Sequence, residues 1–229
     1  MPQQLTFDLP VREALGREDF FVSSANAVAL ATLDGWQDWP QGKMALIGAR
    51  GAGKTHLAHV WAAEAGASIV SAADLTEAEA PALAAGAARV VVEDADAIAG
   101  DREAEVALFH LHNLVLASGG RLLLTAATAP NRWPLGLPDL ASRMQATAVA
   151  ALEPPDDALL SAVLLKLFAD RQIAVAPNLI PYLAARIDRS FAAARDAVAQ
   201  LDQQALAQSR PVTRALAAEV LDLGAEDAP

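Results

Sequence analysis

Gly48, Gly51, Gly53, Lys54 and Thr55 have the spacing of a phosphate-binding loop: residues 48–55 read GARGAGKT, which satisfies GxxxxGK[ST] directly after the apolar run Met44, Ala45, Leu46 and Ile47. The chemistry of such a loop is anion binding. Glycine accepts positive φ and close backbone approach, so successive amides from Gly51 through Ala52 to Gly53 form a nest for phosphate oxygens. Lys54 adds a cation for the β and γ phosphates, and Thr55 a hydroxyl for Mg²⁺. The helix opening there, with His56 in its first turn, directs its positive dipole end at the same charge. Downstream, residues 89–94 read RVVVED, an apolar run closed by Glu93 and Asp94. Paired carboxylates at a strand end are the arrangement P-loop enzymes use to hold Mg²⁺ and orient an attacking water. Glu93 stands where aspartate is usual in such proteins, and its extra methylene moves the carboxylate by about a bond length, enough to alter metal–water geometry.

Positioning these groups requires a strand before the loop and a helix after it. The apolar patterning predicts a helix over 26–36, a strand over 43–48, and further strands over 68–70, 89–93, 121–125 and 146–152. Helices predicted over 55–65, 103–117 and 137–144 separate most of the strands, which implies an α/β core with a mostly parallel sheet covered on both faces. Pro154 and Pro155 mark a change of regime. Beyond them the pattern is helical throughout, over 156–171, 178–187, 190–208 and 213–221, with Asp156 and Asp157 capping the first helix. The expected organisation is a flexible segment 1–18, a nucleotide-binding core 19–153, a small all-helical lid 154–223 and a disordered tail 224–229.

The 229-residue chain is long enough for this arrangement and carries no cysteine, which excludes disulfides and thiolate-held zinc and fits a cytoplasmic protein. Its net charge of -11 opposes nonspecific attraction to nucleic acid, and no basic run offsets it, so no sequence-specific DNA binding is expected. Charges and prolines interrupt every apolar stretch before it could span a bilayer, so no membrane association is expected either. His56, His59, His110 and His112 all fall in helical segments. No carboxylate completes a metal motif with them, so packing or solvent roles are expected; Trp36 and Trp39, which flank the approach to the first strand, are expected in core or interdomain packing.

With the loop, the carboxylates and the helical lid in place, the chain resembles the AAA+ ATPases, and longer matches narrow this to the DnaA/Hda family. Residues 20–26 (FFVSSAN) are similar to the family's FVxGxSN segment, with Ser23 in place of glycine; the resemblance assigns Phe21 and Val22 to the adenine pocket. Ile98-Ala99-Gly100-Asp101 and residues 135–143 (LGLPDLASR) match the Hda branch especially closely. What the resemblance implies for Arg143 is an arginine finger, reaching nucleotide held by a neighbouring subunit and neutralising charge on its γ-phosphate. Arg189 falls at the lid arginine that contacts phosphate in cis, with Arg195 as a rival. Ala127 falls where the family often has a polar sensor residue. A methyl group cannot orient water, so with Glu93 this implies weak intrinsic ATPase activity while ADP or ATP binding survives.

Gln4-Leu5-Thr6-Phe7-Asp8-Leu9 resembles the short peptides by which replication proteins bind the DNA polymerase III sliding clamp, with Gln4 for hydrogen bonds and Leu5, Phe7 and Leu9 as apolar anchors. The chain stops soon after Leu221, and the helix-turn-helix domain of complete initiators is expected to be absent. The implied function is an Hda-like regulator that promotes hydrolysis of DnaA-bound ATP, with homo-oligomers possible. Two alternatives stay open: a clamp- or DnaA-binding adaptor whose nucleotide is structural, and an AAA+ helicase loader.

Overall fold

Along four of five short strands neighbouring side chains fall alternately into two separate apolar clusters, while the fifth, at the sheet edge, packs Ala148, Ala150 and Leu152 on one face and leaves Val149 and Ala151 exposed. The computed structural model describes residues 22–86 and 88–226. Strands β1 (Lys43–Gly48), β2 (Ser68–Ser71), β3 (Arg89–Glu93), β4 (Arg121–Ala126) and β5 (Ala148–Leu152) pair in the order β2-β3-β4-β1-β5. Every pairing is parallel. Val90, Val92, Leu122 and Leu124 pack on one face with α3 (Ala80–Gly86), α4 (Arg102–Ala117) and α5 (Pro138–Gln145). Met44, Leu46, Val91 and Leu123 pack on the other with α1 (Ala27–Asp34) and α2 (Lys54–Ala65). Trp39 stacks on Trp61 in this second cluster, with ring centroids 5.1 Å apart, and Trp36 meets Trp61 edge-on, so the packing role expected of these tryptophans holds.

After Pro154 and Pro155 the chain builds a third cluster from α6 (Asp157–Asp170), α7 (Leu179–Ala184), α8 (Phe191–Ala207) and α9 (Arg214–Glu226), centred on Leu160, Leu164, Phe168, Leu183 and Leu216. Helices α6 and α8 start at side-chain caps: Asp156 accepts from the Leu159 amide, and Ser190 from the Ala193 amide. Helix α9 runs to Glu226, the last described residue. Strand β5 starts at Ala148 rather than 146, since Ala146 and Thr147 still close the last turn of α5.

Gly120, at the turn from α4 into β4, fixes how closely helix and strand approach. A Cβ there would lie 2.3 Å from the Ala88 carbonyl oxygen and 2.7 Å from that of Val115, both rigid backbone atoms. Those carbonyls already accept from the Arg121 and Gly120 amides, so neither can move without losing a bond. Gly120→Ala is therefore expected to destabilise the core by about 2–4 kcal/mol. A urea midpoint within error of wild type would refute this.

Candidate functional site

The phosphate loop emerges from β1 at Gly48 and ends where α2 begins. Gly51 and Gly53 have φ of 77° and 95°, the left-handed conformation their positions in the motif call for. Gly53 is the N-cap of α2, and glycine brings no side-chain acceptor, so the first-turn amides lack a side-chain cap. Such donors suit an anion. Lys54 folds back over the loop, its Nζ donating to the Gly48 carbonyl at 2.9 Å and the Ala49 carbonyl at 3.1 Å. Burial lowers the Lys54 pKa, and the charges of Asp94 and Asp96 oppose that shift, which places both carboxylates in the field of the ammonium. Ala52 is buried, Thr55 is exposed and His56 is half-buried.

The lid closes directly on this loop. The Phe191 amide donates to the Gly51 carbonyl at 2.9 Å. A Cβ on Gly53 would come within 2.9 Å of the Phe191 ring, and one on Gly51 within 3.0 Å of Ala192 Cβ. Arg189 pairs with Asp157 at 2.8 Å on the exposed lid surface, and Arg195 lies exposed further along α8. Core and lid are tied again at the start of α1, where the Glu153 amide donates to the Ala25 carbonyl and Ser24 Oγ donates to Asp156. Val22, beside this junction, is exposed. Phe21, and with it Gln4, Leu5, Phe7 and Leu9, lies outside the described residues.

At the end of β3, Glu93 turns toward α2. Its Oε2 stands 3.7 Å from His59 Nε2, and its Oε1 is buried without a hydrogen-bond partner. An orphaned carboxylate oxygen is chemically able to bind a cation; Thr55, on the first turn of α2, and Asp94, next to Glu93, are the other residues expected to hold Mg²⁺. Among the described residues no group of three or more His, Cys, Asp or Glu could hold a metal ion. A nucleotide-bound Mg²⁺ needs none, since phosphates and waters fill most of its shell. Asp94 takes a left-handed conformation, φ 51°, and its amide donates to the buried Thr125 Oγ1 at 3.0 Å. Asp96 Oδ2 accepts from the amides of Ala127 and Thr128, at 2.9 and 3.2 Å. The polar side chain at the end of β4 is Thr125, whose hydroxyl oxygen accepts from the Asp94 amide, while Ala127 contributes its amide to Asp96. Sequence reasoning missed Asp96; the third acid in Glu93-Asp94-Ala95-Asp96 was the available signal.

Arg143 is exposed on the last turn of α5, whose buried face carries Leu140 and Met144. Its carbonyl accepts from Lys43 Nζ at 2.7 Å and from Thr147 Oγ1 at 3.0 Å. Lys43, itself buried, also lies 3.3 Å from His112 Nε2. Burial pushes the His112 pKa down to about 4; Asn113 opposes the shift, while Lys43 and Arg143 add to it. The unfolded chain would take up that proton near pH 6.5, the folded chain only near 4. Stability is therefore expected to fall as pH drops through that window, by about 3 kcal/mol in full. His112→Gln keeps an acceptor for Lys43 and removes the titration, so its melting temperature should vary less between pH 6.5 and 4; an unchanged slope would count against this.

No protein-family model matches the sequence. The five-stranded parallel sheet with its phosphate loop and helical lid is the fold of AAA+ ATPase domains. The chain is similar in fold to domain III of the replication initiation protein DnaA from Thermotoga maritima, with TM-score 0.79 and 19% identity over 93% of this chain and 98% of that one. AMPPCP-bound DnaA from Aquifex aeolicus gives TM-score 0.66 and 17% identity, over 82% of this chain and 64% of that one. The Thermotoga maritima RuvB Holliday junction branch migration motor gives TM-score 0.65 and 15% identity, over 86% and 65%. The chain therefore spans about two thirds of these longer proteins. Among the described residues no helix is long and apolar enough to cross a membrane.

Proposed function

We propose that this chain is a regulator of replication initiation of the Hda type: it binds an adenine nucleotide between core and lid, and Arg143 promotes hydrolysis of ATP held by DnaA. The observation that carries this reading is the contrast between two sites of one molecule. The Phe191 ring lies against Gly53 of its own phosphate loop and Ala127 follows β4 where the family often has a polar sensor, whereas Arg143 stands exposed on a helix fixed to the core. An arginine delivered to another subunit's nucleotide raises hydrolysis by about 10³ to 10⁵, so a poor ATPase can still control a good one. Similarity to a DnaA that carries AMPPCP supports ADP or ATP as the ligand. Lys54 and the loop amides would bind its phosphates, Thr55, Glu93 and Asp94 would hold Mg²⁺, and Arg189 would reach the phosphates on leaving Asp157. Bound Mg²⁺ would supply charge neutralisation at those phosphates.

Residues Gln4, Leu5, Phe7 and Leu9 would tether the chain to the sliding clamp, which concentrates Arg143 near its target. The test is turnover of DnaA-bound ATP in the presence of clamp loaded on DNA, with and without the full chain. A rise of at least tenfold is expected. Unchanged turnover would overturn the reading, and inhibition of initiation without hydrolysis would replace it with an adaptor acting by occupancy.

A further inference from the structure

We infer that Glu105 and Lys43 are positioning residues for Arg143, two buried and oppositely charged side chains that grip the two ends of α5 and present the guanidinium in one orientation to a partner's nucleotide. The inference rests on the reading of Arg143 as an arginine acting in trans.

Helix α5 has eight residues, too few to be stable by its own hydrogen bonds. At its N-terminus Glu105, reaching from α4 and 1% exposed, accepts three backbone amides. Oε1 takes Gly136 at 2.9 Å and Gly100 at 3.0 Å, and Oε2 takes Leu137, the N-cap, at 2.6 Å. At the other end Lys43, also 1% exposed, donates to the carbonyl of Arg143 itself. A carboxylate at the start of a helix and an ammonium at its end both complement the helix dipole.

Burying a charge is costly unless it is paired and hydrogen-bonded. Among the described residues the buried Lys and Glu side chains are Lys43, Lys54 and Glu105. Lys54 serves the phosphate loop, and the other two both bind α5. His112 and Thr147, also buried, complete the same network by contacting Lys43 and the Arg143 carbonyl. The polar investment of the core is thus concentrated on the short helix that carries an exposed arginine. The backbone amides of Gly100 and Gly136 bring two loops onto one carboxylate, so the LGLPDLASR segment is anchored to α4 before the helix begins.

The test combines Glu105→Gln and Lys43→Met, each alone and with Arg143→Ala, with two readouts: stimulated hydrolysis of DnaA-bound ATP, and amide hydrogen exchange. Glutamine keeps the shape but faces one amide with another donor. Misplacing a reacting group by about 1 Å costs about 100-fold, so each single variant should lower the maximal stimulated rate at least tenfold. The concentration for half-maximal stimulation and the chain's own nucleotide affinity should change little. Exchange should quicken at Gly136 and Leu137 in Glu105→Gln, and at residues 144–147 in Lys43→Met. In the Arg143→Ala background neither substitution should lower the rate further. Full stimulation by both variants, with Arg143→Ala inactive, overturns the grip on α5 and leaves the arginine reading standing. Unchanged stimulation by Arg143→Ala overturns the arginine reading, and this inference with it. Should one variant fail to fold, the other end of the helix decides.

Discussion

Arg143→Ala is expected to lower stimulated hydrolysis of DnaA-bound ATP by about 10³-fold while leaving the fold and the chain's own nucleotide affinity intact. Charge develops on the phosphoryl oxygens during transfer, and a planar guanidinium supplies two donors together with a positive charge where that happens. The side chain is exposed, so its removal should change stability by no more than about 0.5 kcal/mol. Its backbone carbonyl, which accepts from Lys43 and Thr147, survives truncation, so α5 should keep its place. Arg143→Lys separates charge from geometry: it restores a cation without the fork and should recover only a small part of the rate. The checks are single-turnover hydrolysis with DnaA-ATP and clamp on DNA, circular dichroism, and titration of ADP. Wild-type stimulation by Arg143→Ala would refute the assignment.

Much of this frame was legible in the chain because it is written in local signals. Lys43–Gly48 and Arg89–Glu93 have the predicted bounds, since each is an apolar run beginning at a basic residue and ending at a turn signal. The step from core to lid follows Pro154 and Pro155, which cannot continue β5 and precede the Asp156 cap. Helix α3 was not foreseen; its sequence, APALAAG, has no polar face to set a period, and only Ala80 is buried. The charged residues that matter most around α5 were equally hidden. Glu105 sits in the first turn of α4, where an acid ordinarily faces solvent and complements the dipole, and Lys43 opens a strand, where a lysine ordinarily marks an exposed end. Both are buried because their partners come from segments 31 and 100 residues away, a tertiary fact that no window of sequence contains. The contact of Phe191 with Gly51 and Gly53 is of the same kind. Sequence could show the glycines of the loop, but not the aromatic ring that lies against Gly53.

Lys54→Ala carries the second large effect: affinity for ADP or ATP should fall by about 10- to 100-fold, the weight of a charge-assisted hydrogen bond to phosphate. The ammonium is buried yet held within hydrogen-bond distance of two loop carbonyls, and the charges of Asp94 and Asp96 favour its protonated form. Its Nζ can exchange the Gly48 and Ala49 carbonyls for phosphate oxygens. Alanine removes that charge and also frees the two carbonyls, so the loop should lose rigidity as well as attraction. The substitution also separates the two roles of nucleotide in this molecule. If nucleotide serves to fix core against lid, Lys54→Ala should lose stimulation of DnaA-ATP hydrolysis at low ADP and regain it as ADP is raised, because Arg143 itself is untouched. Calorimetric titration and hydrolysis measured across ADP concentrations decide the matter. Wild-type affinity would mean that the phosphates lie elsewhere, whereas weakened affinity with stimulation unaffected at every ADP concentration would show that Arg143 is presented without help from the nucleotide.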